Sequence, residues 1–181
     1  SLMDHDGDSQ KFASALACRL RWWLASIPAG IGLATARSLM KLWLGFKPAN
    51  SGVFSAGNGP LMRAPMIGVW FSGDRVKRNE FVRVSTLITH RDPRAIEAAR
   101  MVAHAVALVV TGTLTDEEIL ERLQTDIETE DLRSRFRRLT KSLQAGESVE
   151  AYANSISKKP GFVSGFAPET ACVAIYAWLC H

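Results

Sequence analysis

The stretch "DPRAIEAARMVAHAVALVV", residues 92–110, constrains the fold of this chain more than any other. An aspartate followed by a proline is a helix start. The carboxylate accepts from free N–H groups of the first turn, and proline at the first helical position forfeits no hydrogen bond. Ile96, Ala99, Ala103, Val106 and Val110 then recur on one side at helical spacing. A stripe of such small residues suits close packing in a crowded interior.

Most of the remaining chain repeats this grammar. Phe12, Leu16, Leu20, Trp23 and Ile27 form one apolar face behind a capping Asp8, and Pro28 stops the helix. "GLATARSLMKLWLGF" reads as a second helix that buries Leu33, Ala36, Met40 and Trp43 and ends at Gly45. Asp74 opens a third, burying Phe81, Val84, Leu87 and Ile88. Thr115 and Glu118 have capping-box spacing. Leu132, Phe136, Leu139 and Leu143 mark another helix before Gly146, and Pro168 starts the last. No stretch alternates as strands do. The spacing predicts an all-α fold, a compact multi-helix bundle in one domain over residues 1–181.

Hydrophobic residues make up 47% of the 181, enough for a substantial core, and the net charge is +4. The arginines of "LRSRFRRLTK" read as a solvated helix face, because no aromatic interleaving or base-reading motif accompanies them. Nucleic acid is therefore not an expected partner. Neither is a membrane, since no apolar run approaches the ~20 residues of a span. "SLMDHDGD" is too acidic and polar for a secretory leader. Cys18, Cys172 and Cys180 lack metal-ligand spacing and read as reduced, mostly buried thiols of a cytoplasmic protein. Asp4, Asp6 and Asp8 fail the calcium-loop pattern, with Gly7 at its fourth position and Ala15 at its twelfth.

Chemistry concentrates in two long loops, residues 45–60 and 157–168. In "FSAGNGPLMRAP", Gly57 and Gly59 let the backbone approach a ligand, and Pro60 suits a helix start. Free N–H groups there, with Arg63 one turn on, favour an anion such as phosphate. A plain Asn-Gly turn before a helix fits the same letters. Pro65 either kinks that helix or separates two. His90, at the junction "TLITHRDP", reads as a turn histidine or as one aimed into a pocket. His104 reads as structural. No Ser/His/Asp or Cys/His pattern and no Gly-rich dinucleotide or P-loop motif is found.

Taken together, "SAGNGPLMRAPMIG" and "STLITHRDPRAIEAARMVAHAVAL" resemble the ADP-ribosylglycohydrolase family. "PAGIGLATARSLMKLW" and "GFVSGFAPETACVAIYAWL" extend the resemblance over almost the whole chain. The resemblance implies an all-helical hydrolase that cleaves the glycosidic bond joining ADP-ribose to a side chain, with two magnesium ions. It places Ser55, Ala56, Gly57, Asn58 and Gly59 on the diphosphate or adjoining ribose, Met62 and Arg63 bracing that loop, and His90 on the ribose. Phe162, Ser164, Gly165 and Phe166 would border the adenine end.

One departure accompanies it. The family holds its metals with a Thr-Asp-Asp-type cluster near the N-terminus and an Asp-x-Asp-Thr cluster near the C-terminus, and neither is present here. The reading expects a chain that begins after the first cluster, stops before the second and is weakly active or inactive alone. Catalytic residues are not assigned, and none of these residues is expected to bind magnesium fully. The alternatives are a non-catalytic ADP-ribose-binding module and a crystallin-like structural protein. Expected partners are ADP-ribose or an ADP-ribosylated protein. A second copy is also expected, through the first helix (Trp22, Trp23) or the last (Ile175, Trp178).

Overall fold

A computed structural model describes residues 8–112 and 114–180. Asp4, Asp6 and Gly7 lie outside the described residues. The described chain folds into ten α-helices in this order: α1 (Ser9–Ala25), α2 (Leu33–Trp43), α3 (Pro48–Ser51), α4 (Ala64–Trp70), α5 (Arg75–Leu87), α6 (Pro93–Thr111), α7 (Asp116–Gln124), α8 (Glu130–Gln144), α9 (Val149–Ile156) and α10 (Ala167–Leu179). A 3-10 segment, Gly59–Met62, precedes α4. Extended pairing among the described residues is limited to isolated bridges. The protein is all-α.

Helix starts follow the letters of the chain. Asp8 accepts from the amides of Gln10 and Lys11, Asp74 from Lys77, and Asp92 from Arg94. Thr115 and Glu118 close a capping box on α7. Pro65 sits in the first turn of α4, where a missing N–H costs nothing, so the two-helix alternative holds.

α6 is the hub, packed against α4, α5 and α10. Its alanines 95, 98, 99, 103 and 107 are buried around most of the helix. They let α4 approach so closely that a Cβ on Gly68 would fall 2.4 Å from the Ala103 carbonyl oxygen. Around this hub pack the rings of Phe12, Phe71 and Phe81 and the stacked pair Tyr152–Tyr176, whose centroids lie 4.3 Å apart. Both tyrosine hydroxyls donate to carbonyls, of Arg135 and Glu147 respectively. A smaller cluster joins Ala17, Leu39, Leu42 and Ile88.

Several sequence expectations are corrected. α2 buries Ser38, Leu39 and Leu42, whereas Leu33, Met40 and Trp43 face outward. The helix has two apolar stripes, and the inner one is fixed by the Ser38 hydroxyl, which donates to the Thr89 carbonyl at 2.7 Å. Ile27 falls beyond the end of α1 and is exposed, as is Val110 near the end of α6. Ile175 is 4% exposed and lines an apolar groove beside the exposed Trp178. Of the three thiols only Cys172 is buried, and burial raises its pKa to about 12. α3 is too short to show a period, whereas α9 shows one in Val149, Tyr152 and Ile156, which pack on the core.

Gly68→Ala forces a methyl group into backbone and is expected to lower stability by about 1–3 kcal/mol in urea unfolding. Gly73→Ala, which meets nothing within 4 Å, leaves the midpoint nearly unchanged.

Candidate functional site

The site begins at the C-terminal end of α5, whose last carbonyls lack helical partners. Side chains from three other segments supply them. Arg63 donates to Ser85 O at 3.0 Å, Ser51 to Ile88 O at 2.8 Å, and Ser38 to Thr89 O. Val53 and His90 form a parallel bridge, with Val53 N donating to Thr89 O and Arg91 N to Val53 O. The segment before the Gly-Asn-Gly bend is therefore tied directly to the segment that carries His90.

Arg63 does not point at an anion site. Its guanidinium turns inward and also donates to Ser85 Oγ, Thr89 Oγ1 and Gly59 O. It has no carboxylate partner among the described residues, and burial lowers its pKa to about 10, so it stays charged at neutral pH. The negative end of the α5 dipole and the carbonyl oxygens stabilise that charge. Arg63 ties the bend, through Gly59 O, to the end of α5.

His90 lies under the bend, only 2% exposed, with Nδ1 2.9 Å from Thr89 Oγ1. A Cβ on Gly57 would come within 2.8 Å of its Nε2, and one on Gly59 within 3.1 Å of its Cε1 and of Thr35 Oγ1. Gly57 is thus required by close approach to the ring, and Gly59 sits tightly against it. An imidazole covered in this way supports the loop from beneath; the expectation that it sits on a ribose does not fit its burial. Burial, aided by the charge of Arg63, lowers its pKa to about 4, so the ring is neutral at pH 7.

The second loop closes against the first. Asn58 N donates to Gly165 O at 2.8 Å, and Ala167 N to Ala56 O at 2.7 Å, forming an antiparallel bridge between Gly57 and Phe166. Asn58 Nδ2 donates to Thr170 Oγ1 at 3.2 Å, and that hydroxyl donates to Ser164 O. Buried Glu169 holds the loop to α10, accepting from Ser157 Oγ, Ser164 N and Ser164 Oγ at 2.7–2.9 Å. The structure thus brings Ala56, Gly57 and Asn58 together with Ser164, Gly165 and Phe166, which the sequence reading selected separately.

What remains open to solvent is specific. Gly57 N is used by Ser55 Oγ and Asn58 N by Gly165, whereas the amides of Ala56, Gly59 and Gly165 have no hydrogen-bond partner among the described residues. Residues 55–59 are half-buried, and Phe54, Met62 and Phe162 are exposed at the rim. Phe166 is less free, because the guanidinium carbons of Arg94 and Arg135 lie 5.3 and 5.1 Å from its ring centroid. The loop pair is an open surface. The cavities of about 680 Å³ (between α7, α8 and α10) and 400 Å³ (between α1, α3 and α5) are lined by none of these residues.

Sequence reasoning missed Glu169, Thr170, Thr35 and Phe54. Glu169 carried a faint signal, an acid in the first turn of a helix just after Pro168. His104 is structural as read, with Nδ1 2.6 Å from Asp126 Oδ2.

The ADP-ribosylglycohydrolase family matches the chain over residues 1–181. The chain belongs to that family. A relative from Archaeoglobus fulgidus, described as an uncharacterized protein, is 31% identical over 156 residues, which is 83% of this chain and 49% of the relative. The chain therefore spans about half the length of that relative. The family generally uses divalent metal, but the described residues do not fit it. No group of three or more His, Cys, Asp and Glu among them could hold an ion. The carboxylates beside the loops are occupied, Glu169 by three donors and Asp92 by the α6 start and Arg94. No described helix is long and apolar enough to cross a membrane.

The buried imidazole predicts a stability profile. The unfolded chain takes up the His90 proton near pH 6.5, the folded chain only near pH 4. Stability is thus fully present above about pH 6.5 and is lost as pH falls toward 4, by at most roughly 1.4 kcal/mol per pH unit. Urea unfolding across that window checks this, with His90→Gln expected to flatten the slope.

Proposed function

We propose that the paired loops 54–60 and 161–166 recognise the ADP-ribosyl group of a modified protein. The observation that carries this reading is the joining of the two motifs through Asn58 N–Gly165 O and Ala167 N–Ala56 O. Two loops held in register present the free amides of Ala56, Gly59 and Gly165 as donors suited to diphosphate or ribose oxygens. Exposed Phe162, with Phe54 near the other loop, offers an aromatic face to the adenine. Ser55, Gly57 and Asn58 shape the first loop, Ser164 and Phe166 the second, and Met62 stands at the rim. Arg63 and His90 hold the site from below.

Hydrolysis of the glycosidic bond with two magnesium ions is the family chemistry that this site would serve. Carboxylates beyond Glu169 and Asp92 are needed for it, which favours, for these residues alone, recognition without turnover. The domain reads as one unit over residues 1–181. A homo-oligomer would form on the strip left by α6 and α10, where Val109, Val110 and Trp178 are exposed beside an apolar groove.

Calorimetric titration with ADP-ribose tests the reading. The wild-type chain is expected to bind and Asn58→Ala to bind about tenfold more weakly or worse, the loss of roughly one buried hydrogen bond. Absence of heat with the wild type overturns recognition in favour of a structural, crystallin-like role. Magnesium-dependent release of ADP-ribose by the wild type overturns the claim of no turnover.

A further inference from the structure

Residues 9–73 contain no Asp or Glu, yet they include Arg19, Arg21, Arg37, Lys41 and Lys47 as well as the inward-turned Arg63. The same stretch holds Trp22, Trp23, Trp43 and Trp70, every one of them exposed. On α2 the two properties share one face. Leu33 (65% exposed), Arg37, Met40 (53%) and Trp43 (48%) follow each other at steps of three and four along the outward side. Trp22 of α1 meets Trp43 edge-on at 5.6 Å, and the Arg21 guanidinium lies 5.7 Å from the Trp43 ring centroid. Leu44 and Phe46 extend the apolar surface, with Lys41 Nζ 5.0 Å from the Phe46 ring. No ion pair engages Arg21, Arg37 or Lys41 among the described residues. The acids that face α1, Asp8 and Glu80, sit at its other end and are occupied by its first amides and by Ser9 and Arg83.

α2 lies between this face and the proposed site: Thr35, on the inward side of α2 with Ser38, Leu39 and Leu42, is with His90 one of the two residues against which Gly59 closes. A helix is about 10 Å across, so a ligand protein whose ADP-ribosyl group lies over the loops reaches the outward face by wrapping around α2.

We propose that the outward face of α2, with Trp22 of α1, docks an acidic, apolar segment of the modified protein beside its ADP-ribosyl group. The proposal rests on the ADP-ribose reading of the loops. Charge complementarity selects the occupant. A second copy joined through the same face would set unpaired cations against unpaired cations. An acidic partner neutralises them, while its apolar side chains cover Leu33, Met40 and Trp43.

The test uses the whole chain and two fluorescent peptides that carry Leu at helical spacing, one with Glu and one with Lys at the charged positions. Anisotropy is expected to show salt-sensitive binding of the Glu peptide and none of the Lys peptide. Arg21→Glu combined with Arg37→Glu is expected to weaken Glu-peptide binding at least about tenfold while free ADP-ribose binds as before. Met40→Ser, which keeps the charges, weakens it less. Equal binding of the two peptides, no binding of either, or no effect of the double variant overturns the docking proposal. So does a dimer in light scattering that the double variant abolishes, or sedimentation of the wild type with phosphatidylserine vesicles that the double variant abolishes. Free ADP-ribose is titrated on the same samples. Its failure to bind overturns the loop reading, and with it the placement of the modified residue, whereas failure of the peptide alone leaves the loop reading standing.

Discussion

A half-buried guanidinium without a carboxylate among the described residues organises the centre of this protein. Arg63 reaches from the start of α4 to the last turn of α5 and gives its hydrogens to the Ser85 and Gly59 carbonyls and the Ser85 and Thr89 hydroxyls. One side chain thereby fixes the bend, through Gly59, and the helix end that carries His90. The α5 dipole lets the charge remain where an acidic partner would otherwise be needed. With that frame set, the imidazole fills the space under the bend. Gly57 becomes obligatory because a Cβ there would overlap the ring, and a Cβ on Gly59 would press on it.

The second loop depends on a different device, a buried carboxylate that accepts only from amide and hydroxyl groups. Glu169 anchors residues 157–164 to α10, and the backbone pairing of Gly57 with Phe166 aligns the result with the first loop. Glu97 does a similar task across the helix layer, accepting from the Thr129 amide and hydroxyl at the start of α8. Polar groups inside this fold thus set the positions of helix ends and loops, while the alanines of α6 supply the close packing.

Much of this was legible in the letters. Asp8, Asp74, Asp92 and the Thr115/Glu118 box announce helix starts because capping is a local interaction, settled within one turn. The two site loops were legible because unusual Gly and Asn content marks backbone in close contact with something else. Side-chain direction was not legible. Arg63 follows the bend closely enough to face an anion, and only the fold shows that α5 lies behind it. α2 offered two apolar stripes, and periodicity alone ranks the one with the larger residues as inner. The hydroxyl of Ser38, hydrogen-bonded to Thr89, reverses that choice. Glu169 has no local partner, and its three donors arrive from a loop that spacing cannot place. Spacing alone therefore assigns the outward stripe of α2 to the core, and the absence of acids over residues 9–73 acquires meaning only once that face is known to be exposed.

The central claim is that two loops far apart in the chain act as one recognition surface. Amide NMR of the labelled protein titrated with ADP-ribose tests it most directly. The account predicts that resonances of residues 55–59 and 164–166 shift together along a single binding curve, with the Gly59 and Gly165 amides among the largest changes. Shifts confined to one loop, or centred on the cavity between α7, α8 and α10, would contradict it.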